Sequence, residues 1–217
     1  MADPNSREGH RYDTPEIRAF LDGLHGPHDK ALGLAFSAPE RTGLPQIQLG
    51  QQEGAFLTLL MRLIGARRVV EVGTLAGYSG LRLARGLQPG GRLWTLESHP
   101  RHAMVARPAL VAAPPGVTVK LLEGDAKATL PKLEIEGPFD AVFLDADKGG
   151  YAEYGAWAAA NLRPGGLLIA DNVYLFGRLL EEGEEAEAVR RFHREAADAF
   201  DSCVVPTPDG LLIGIRR

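Results

Sequence analysis

The sequence predicts an α/β fold: a doubly wound, seven-stranded, mostly parallel sheet, with helices prefixed at the N-terminus and an antiparallel hairpin at the C-terminus. Three observations lead there. From residue 68 onward, short apolar runs alternate with stretches long enough for a crossover helix, which is the pattern of a parallel sheet covered on both faces. Before them, Phe56, Leu57, Leu59, Leu60, Leu63 and Ile64 recur at helical spacing. The last two runs are joined by Pro206-Thr207-Pro208-Asp209-Gly210, a turn sequence too short to hold a helix.

The elements follow in order. Thr14-Pro15-Glu16 reads as an N-cap followed by proline at the first helical position, opening a helix to Leu24. Helices are expected around 30–36, after the break at Gly26-Pro27, and over 51–64, after Gly43-Leu44-Pro45. The first strand is expected over 68–72 and its helix over 77–87; further strands follow over 92–96, 117–122, 139–144 and 166–170. Residues 202–205 and 211–215 form the hairpin. Residues 1–13 are polar and are expected to be disordered, ahead of one domain over 14–217.

Composition narrows the function. The 217 residues are 45% hydrophobic and 24% charged, enough for one substantial core. A net charge of -4, with lysine and arginine scattered along the chain, leaves no footprint for nucleic acid. Cys203 is the only cysteine, so there is neither an intramolecular disulfide nor a thiolate metal cluster, in keeping with a reducing compartment. The first residues resemble neither a signal peptide nor a transit sequence, and no run approaches the roughly 18 to 20 apolar residues of a membrane span. A cytoplasmic protein with no membrane partner is expected.

Ligands of open α/β sheets sit beyond the carboxyl ends of strands, so the residues closing each apolar run are the candidates. The first run closes in Glu71-Val72-Gly73-Thr74-Leu75-Ala76-Gly77-Tyr78-Ser79-Gly80. Its glycines let the backbone approach a ligand, and the helix behind offers free N–H groups. The spacing is neither that of a dinucleotide turn nor that of a nucleoside triphosphate loop. The carboxylate of Glu71 repels phosphate and suits an ammonium group. Glu97, closing the second run, can accept both hydroxyls of a ribose. Gly124-Asp125-Ala126, closing the third, forms a turn that can hold an adenine edge by its backbone. Each alone has a simpler account, tight packing for the glycines and an ordinary surface residue for Glu97. Together they describe S-adenosylmethionine better than NAD.

The fourth run ends in Leu144-Asp145-Ala146-Asp147-Lys148 and the fifth in Ala170-Asp171-Asn172. If these strands are neighbours, Asp145, Asp171 and Asn172 meet at one rim as hard oxygen ligands, suited to Mg²⁺, with Mn²⁺ or Ca²⁺ also admissible. Either pair alone is accounted for by a helix cap or a turn.

With these residues in view, the chain resembles the metal-dependent O-methyltransferases related to catechol and caffeoyl-CoA O-methyltransferases. The resemblance covers roughly residues 45 to 217 and is carried by Glu71-Val-Gly-Thr with Gly77-Tyr-Ser, Asp145-Ala-Asp-Lys148, Pro164-Gly-Gly, Asp171-Asn172 and Pro208-Asp209-Gly210. It implies a Rossmann-like methyltransferase fold. It further implies that Glu71, Gly73, Thr74, Ser79, Glu97, Ala126 and Asp145 contact S-adenosylmethionine, with the backbone near Leu49 closing over it. By the same resemblance Asp145, Asp171 and Asn172 bind the metal, Lys148 takes the proton of the reacting hydroxyl, and the protein forms a homodimer. Leu49 stands where the family commonly has threonine, and Gln51-Gln52 where it has a more acidic pair.

The implied reaction methylates one hydroxyl of a vicinal dihydroxy-aromatic small molecule. A neutral phenol is a poor nucleophile, and chelation of both oxygens by a cation lowers the pKa of the attacking one. Among the remaining residues, Tyr174 and Phe176 are candidates to grip an aromatic ring, while Tyr151, Tyr154 and Trp157 read as core or helix face and His25-x-x-His28 as surface. Two rival readings remain at this level: an NAD(P)-dependent oxidoreductase, which needs a phosphate-accepting turn, and a non-catalytic nucleoside-binding module, which needs neither metal nor Lys148.

Overall fold

The structure, a computed structural model, describes residues 12–217. The disorder expected over 1–13 therefore falls, apart from Tyr12 and Asp13, outside the described residues.

Among the described residues, four helices precede the sheet: α1 (Pro15–Leu24), α2 (Lys30–Phe36), α3 (Ala38–Thr42) and α4 (Gln51–Leu63). Thr14 caps α1 as its sequence predicts, its hydroxyl accepting from the Ile17 N–H at 3.4 Å. Asp29 does the same for α2 through the Leu32 N–H at 3.0 Å. The short α3 has no signal in the sequence; it follows directly on Ser37, whose backbone is already helical, and ends at Gly43 in the left-handed region.

The seven strands are β1 (Arg68–Val72), β2 (Arg92–Glu97), β3 (Thr118–Glu123), β4 (Phe139–Leu144), β5 (Leu162–Ala170), β6 (Phe200–Val205) and β7 (Leu211–Arg216). The helices between them are α5 (Tyr78–Ala84), α6 (Pro100–Val111), α7 (Ala126–Leu133), α8 (Tyr151–Asn161) and α9 (Glu184–Ala199). The order across the sheet is β3-β2-β1-β4-β5-β7-β6. All neighbours are parallel except β7, which lies antiparallel to both β5 and β6. The expected doubly wound sheet with its closing hairpin is thus present.

Alternation along each strand sends neighbouring residues to opposite faces. Val70, Val72, Trp94, Leu96, Val142 and Leu144 pack on one side beneath α7, α8 and α9; Val69, Leu93, Ala141, Phe143 and Ile169 pack on the other with α2, α4 and α5. Strand β5 starts four residues earlier than the apolar pattern suggests. Its register with β4 slips between Phe139↔Leu162 and Ala141↔Leu167, so Arg163-Pro164-Gly165-Gly166 is accommodated as an irregularity. Arg163 is anchored there, its Nε donating to Asp140 Oδ1 at 2.6 Å.

Register fixes where chemistry can occur. Val72 lies level with Leu96 and with Leu144, and Leu144 level with Ala170. Gly73, Glu97, Asp145 and Asp171 therefore stand in one row at the carboxyl rim. Strand order reverses between β1 and β4, which opens a crevice at that point of the rim.

Candidate functional site

The crevice is a cleft of about 950 Å³. Gly73, Glu97, Ala126, Asp145, Lys148 and Asn172 all lie on its wall. A smaller recess of about 50 Å³ adjoins it, bounded by Leu49, Gly73, Thr74, Ser79 and Asp145. Every residue that the resemblance assigns to cofactor, metal or proton transfer lines one of the two, except Glu71 and Asp171, which are buried immediately behind.

Gly73 is required by space and by backbone. Its φ is 98°, and a Cβ there would collide with the carbonyl oxygen of Asp145. The β1 and β4 ends can approach this closely only with glycine at that position. Glu71, just below, is fully buried. Its Oε2 accepts from Thr95 Oγ1 at 2.5 Å, whereas Oε1 has no hydrogen-bond partner. Burial pushes its carboxyl up to about 8; the Ser79 and Thr95 hydroxyls oppose this, and the charges of Asp145 and Glu97 add to it. Thr74 turns its hydroxyl toward Thr95 and the Leu96 carbonyl, at 2.5 and 3.1 Å.

Glu97 does more than the sequence suggests. Its Oε2 accepts from the N–H groups of Thr74 (3.2 Å) and Leu75 (2.8 Å), and its Oε1 accepts from the His99 N–H at 2.9 Å. One carboxylate thus organises the glycine turn, where Leu75 holds a φ of 48°, while lining the cleft. At the end of β3, Asp125 caps α7 by accepting from the Lys127 N–H at 2.9 Å and so presents Ala126 to the cleft.

Asp145 and Asp171 are brought together by the ladder: the Asp145 N–H donates to the Val72 carbonyl at 2.9 Å, and the Asp171 N–H to the Leu144 carbonyl at 3.0 Å. Burial raises the Asp145 carboxyl, against the pull of Lys148. Asp171 is raised to about 7, by burial first and by the charge of Asp145 second. Asn172 sits at φ 54°, a left-handed conformation that asparagine tolerates better than most residues and that sets it on the cleft wall. Among the described residues, no three His, Cys, Asp or Glu side chains are grouped so as to hold a metal. A metal here would rest on two carboxylates and one carboxamide.

Lys148 is only 7% exposed. Its Nζ donates to Tyr151 Oη at 2.5 Å and lies 3.4 Å from both Asp145 Oδ1 and the Asp171 carbonyl oxygen. The sequence reads Tyr151 only as core or helix face, although its position three residues beyond Lys148, on a helical stretch, is a signal that the two can meet. Gln48 is a second such residue: its Nε2 donates to the Phe36 carbonyl at 3.0 Å, while its buried Oε1, at the cleft, has no partner. Nothing in the sequence marks it.

Two expectations need correction, those for Tyr174 and His28. Tyr174 does not reach the cleft; its ring lies over Gly210, where a Cβ would press against it. Phe176 does line the cleft and is 64% exposed. His28 is half-buried, with Nε2 2.8 Å from Tyr78 Oη, because the turn at Gly26-Pro27 folds it onto α5.

The sequence matches the O-methyltransferase family over residues 34–217. It is 45% identical over 175 residues to a catechol O-methyltransferase of Mycobacterium tuberculosis, covering 81% of this chain and 79% of that protein. It is 42% identical over 200 residues to a catechol O-methyltransferase of Niastella koreensis, covering 91% and 90%. Among solved structures, the fold superimposes with a TM-score of 0.87 on an O-methyltransferase from Bacillus cereus in complex with SAH, at 32% identity over 93% of this chain and 97% of that one. An O-methyltransferase from Streptomyces achromogenes in complex with SAM, involved in tomaymycin synthesis, gives 0.85 at 33% identity, covering 93% and 96%.

Proposed function

The chain belongs to the O-methyltransferase family, and from that premise we propose that it transfers the methyl group of S-adenosylmethionine to one hydroxyl of a vicinal dihydroxy-aromatic small molecule held by a divalent cation. The observation that carries this reading is the single rim on which Glu97, Asp145, Lys148 and Asn172 share one cleft with Asp171 buried beside them. The names of the relatives support the catechol class, and the SAM and SAH complexes of the structural neighbours support the cofactor.

Each residue has work that its surroundings suit. Glu71 offers a buried, unpartnered oxygen to the methionyl ammonium group. Glu97 accepts the ribose hydroxyls, and the Ala126 turn borders the adenine. The recess between Leu49, Gly73 and Ser79 takes the methionyl part. Lys148, as the neutral amine, accepts the hydroxyl proton at Nζ and becomes the ammonium. The methyl passes from sulfur to the phenolic oxygen, and the C–S bond electrons stay on the neutral thioether.

A divalent cation fits Asp145, Asp171 and Asn172. Asp171 is buried and Asp145 half-buried beside it; burial raises both carboxyls, the charge of Asp145 raises Asp171 further, and one ammonium, that of Lys148, acts on both. That is an oxygen-rich, under-neutralised place of the kind a hard cation stabilises. When bound, the cation supplies chelation of the diol and a lower pKa for the attacking hydroxyl.

Chelator titration tests the proposal. Turnover on an ortho-dihydroxy aromatic should vanish in chelator and return with Mg²⁺, while calorimetric binding of S-adenosylhomocysteine changes little; Asn172→Ala should mimic the chelator. Full turnover in chelator would refute the metal assignment. A homodimer is proposed on separate grounds: α1 buries none of its residues, and Phe20, Leu24, Leu59 and Leu63 are exposed on the prefixed helices. Sedimentation showing a monomer at micromolar concentration would remove it.

A further inference from the structure

We infer that Tyr151 is a positioning residue for Lys148: its hydroxyl tethers the lysine Nζ to the ends of β4 and β5, so that the base and the two metal-binding strands keep one fixed spacing. The inference rests on the proposed methyl transfer and adds a residue to it.

The hydrogen-bond arithmetic assigns the direction. A phenol has one proton to donate and lone pairs to accept with. Tyr151 Oη lies 2.8 Å from the Asp171 carbonyl oxygen and 3.1 Å from the Leu144 carbonyl oxygen, neither of which can donate. The single proton is committed to these two acceptors, which leaves a lone pair for Lys148 Nζ at 2.5 Å. The hydroxyl therefore joins three points: the last residue of β4, the first residue after β5, and the lysine between them.

The ring adds a second constraint. Lys148 Nζ lies 4.5 Å from the ring centroid, within cation–π range. The ring itself is fully buried, edge-on to Phe192 at 5.4 Å between centroids. A buried ring in a packed core has few rotamers to sample, so its oxygen is a fixed point. Lysine has four rotatable bonds and no fixed geometry of its own. Without the hydroxyl, Nζ would be located only by Asp145 Oδ1 and the Asp171 carbonyl, both at the long distance of 3.4 Å. Misplacement of a general base by a fraction of an ångström is felt in turnover and not in binding.

Tyr151→Phe removes one oxygen and leaves the packed ring. The expected result is a kcat reduced about tenfold, part of the 10²–10⁴ typical of general-base catalysis, with KM for the aromatic and affinity for S-adenosylhomocysteine within about twofold. Lys148→Ala supplies the readout that a purely structural role would not move. In that background, followed by single-turnover transfer of labelled methyl, Tyr151→Phe should cost nothing more, because there is no base left to position. An equal loss in both backgrounds, or an unchanged kcat in the single variant, overturns the inference. A measurement on the unaltered protein needs no variant at position 151. In ¹⁵N-lysine NMR, one side-chain ammonium should show hindered rotation and slow exchange with water, and should be identified as Lys148 by its loss in Lys148→Ala. A freely rotating, fast-exchanging Lys148 ammonium also overturns the inference. If the unaltered protein methylates no ortho-dihydroxy aromatic, the functional reading fails while the ammonium signal still decides the tether.

Discussion

At Glu71 the physics of a single buried carboxyl becomes a measurable pH dependence. Its value in the folded chain, about 8, lies above the ordinary 4.5 of a glutamate. The folded state therefore binds the proton more tightly than the unfolded state. The associated stability is complete below about 4.5 and is lost as pH rises through about 8. Asp171, raised to about 7, acts in the same direction. Thermal unfolding of the cofactor-free protein should thus show a midpoint that falls across this window, and Glu71→Gln should make the fall shallower. A midpoint that rises with pH over the same range would contradict the burial of these groups as acids. Facing a methionyl ammonium, Glu71 should ionise, so binding of S-adenosylmethionine near neutral pH should release a proton. Calorimetry in buffers of different ionisation enthalpy reads that proton directly, and Glu71→Gln should abolish it. At the neighbouring turn, Gly73→Ala should cost about 1–3 kcal/mol in chemical denaturation from backbone strain alone and should also abolish cofactor binding. Its Cβ has no space between β1 and the Asp145 carbonyl.

Among the elements, Phe143 gives the plainest test of the core. It is fully buried in the middle of β4, so Phe143→Ala should lower stability by roughly 3–5 kcal/mol in denaturant titration. Strands and long helices were legible because their periodicity reflects which face is buried. Runs at 68–72 and 139–144 coincide with β1 and β4 to the residue. The sequence fails where tertiary contacts override local pattern. Strand β5 extends back through Arg163-Pro164-Gly165, residues of low strand propensity, because Asp140 holds Arg163 against β4. The helix after β1 stops at Ala84, since the Gly86 and Leu87 N–H groups turn back to Leu83 and Ala84 in a tighter turn than an α-helix makes. The site shows the same division. Residues at strand ends were legible because the fold fixes where strand ends meet. Tyr151 and Gln48 were not, because their importance lies in which atom they touch, and no spacing encodes that.

On the scale of the whole molecule, the sheet brings residues far apart in sequence to one cleft: Glu97, Ala126, Asp145, Lys148 and Asn172 line it, with Asp171 buried beside them. Phe176, at φ 54° with its N–H donating to Asp209 Oδ1 at 2.9 Å, is the one aromatic side chain from the loop after β5 on the cleft wall. An aromatic substrate is therefore bordered on that side by a single exposed ring, and small catechols should be methylated on both hydroxyls, as product analysis would show. The central claim is that two adjacent oxygens are held by a cation at Asp145, Asp171 and Asn172 while one of them attacks the sulfonium methyl. It is tested most directly by initial rates on matched mono- and ortho-dihydroxy aromatics with labelled S-adenosylmethionine and Mg²⁺. The account predicts transfer to the ortho-diols and little to the monophenols, because one open edge of a cation gains little from a lone oxygen. Equal rates on the two members of each pair would contradict it.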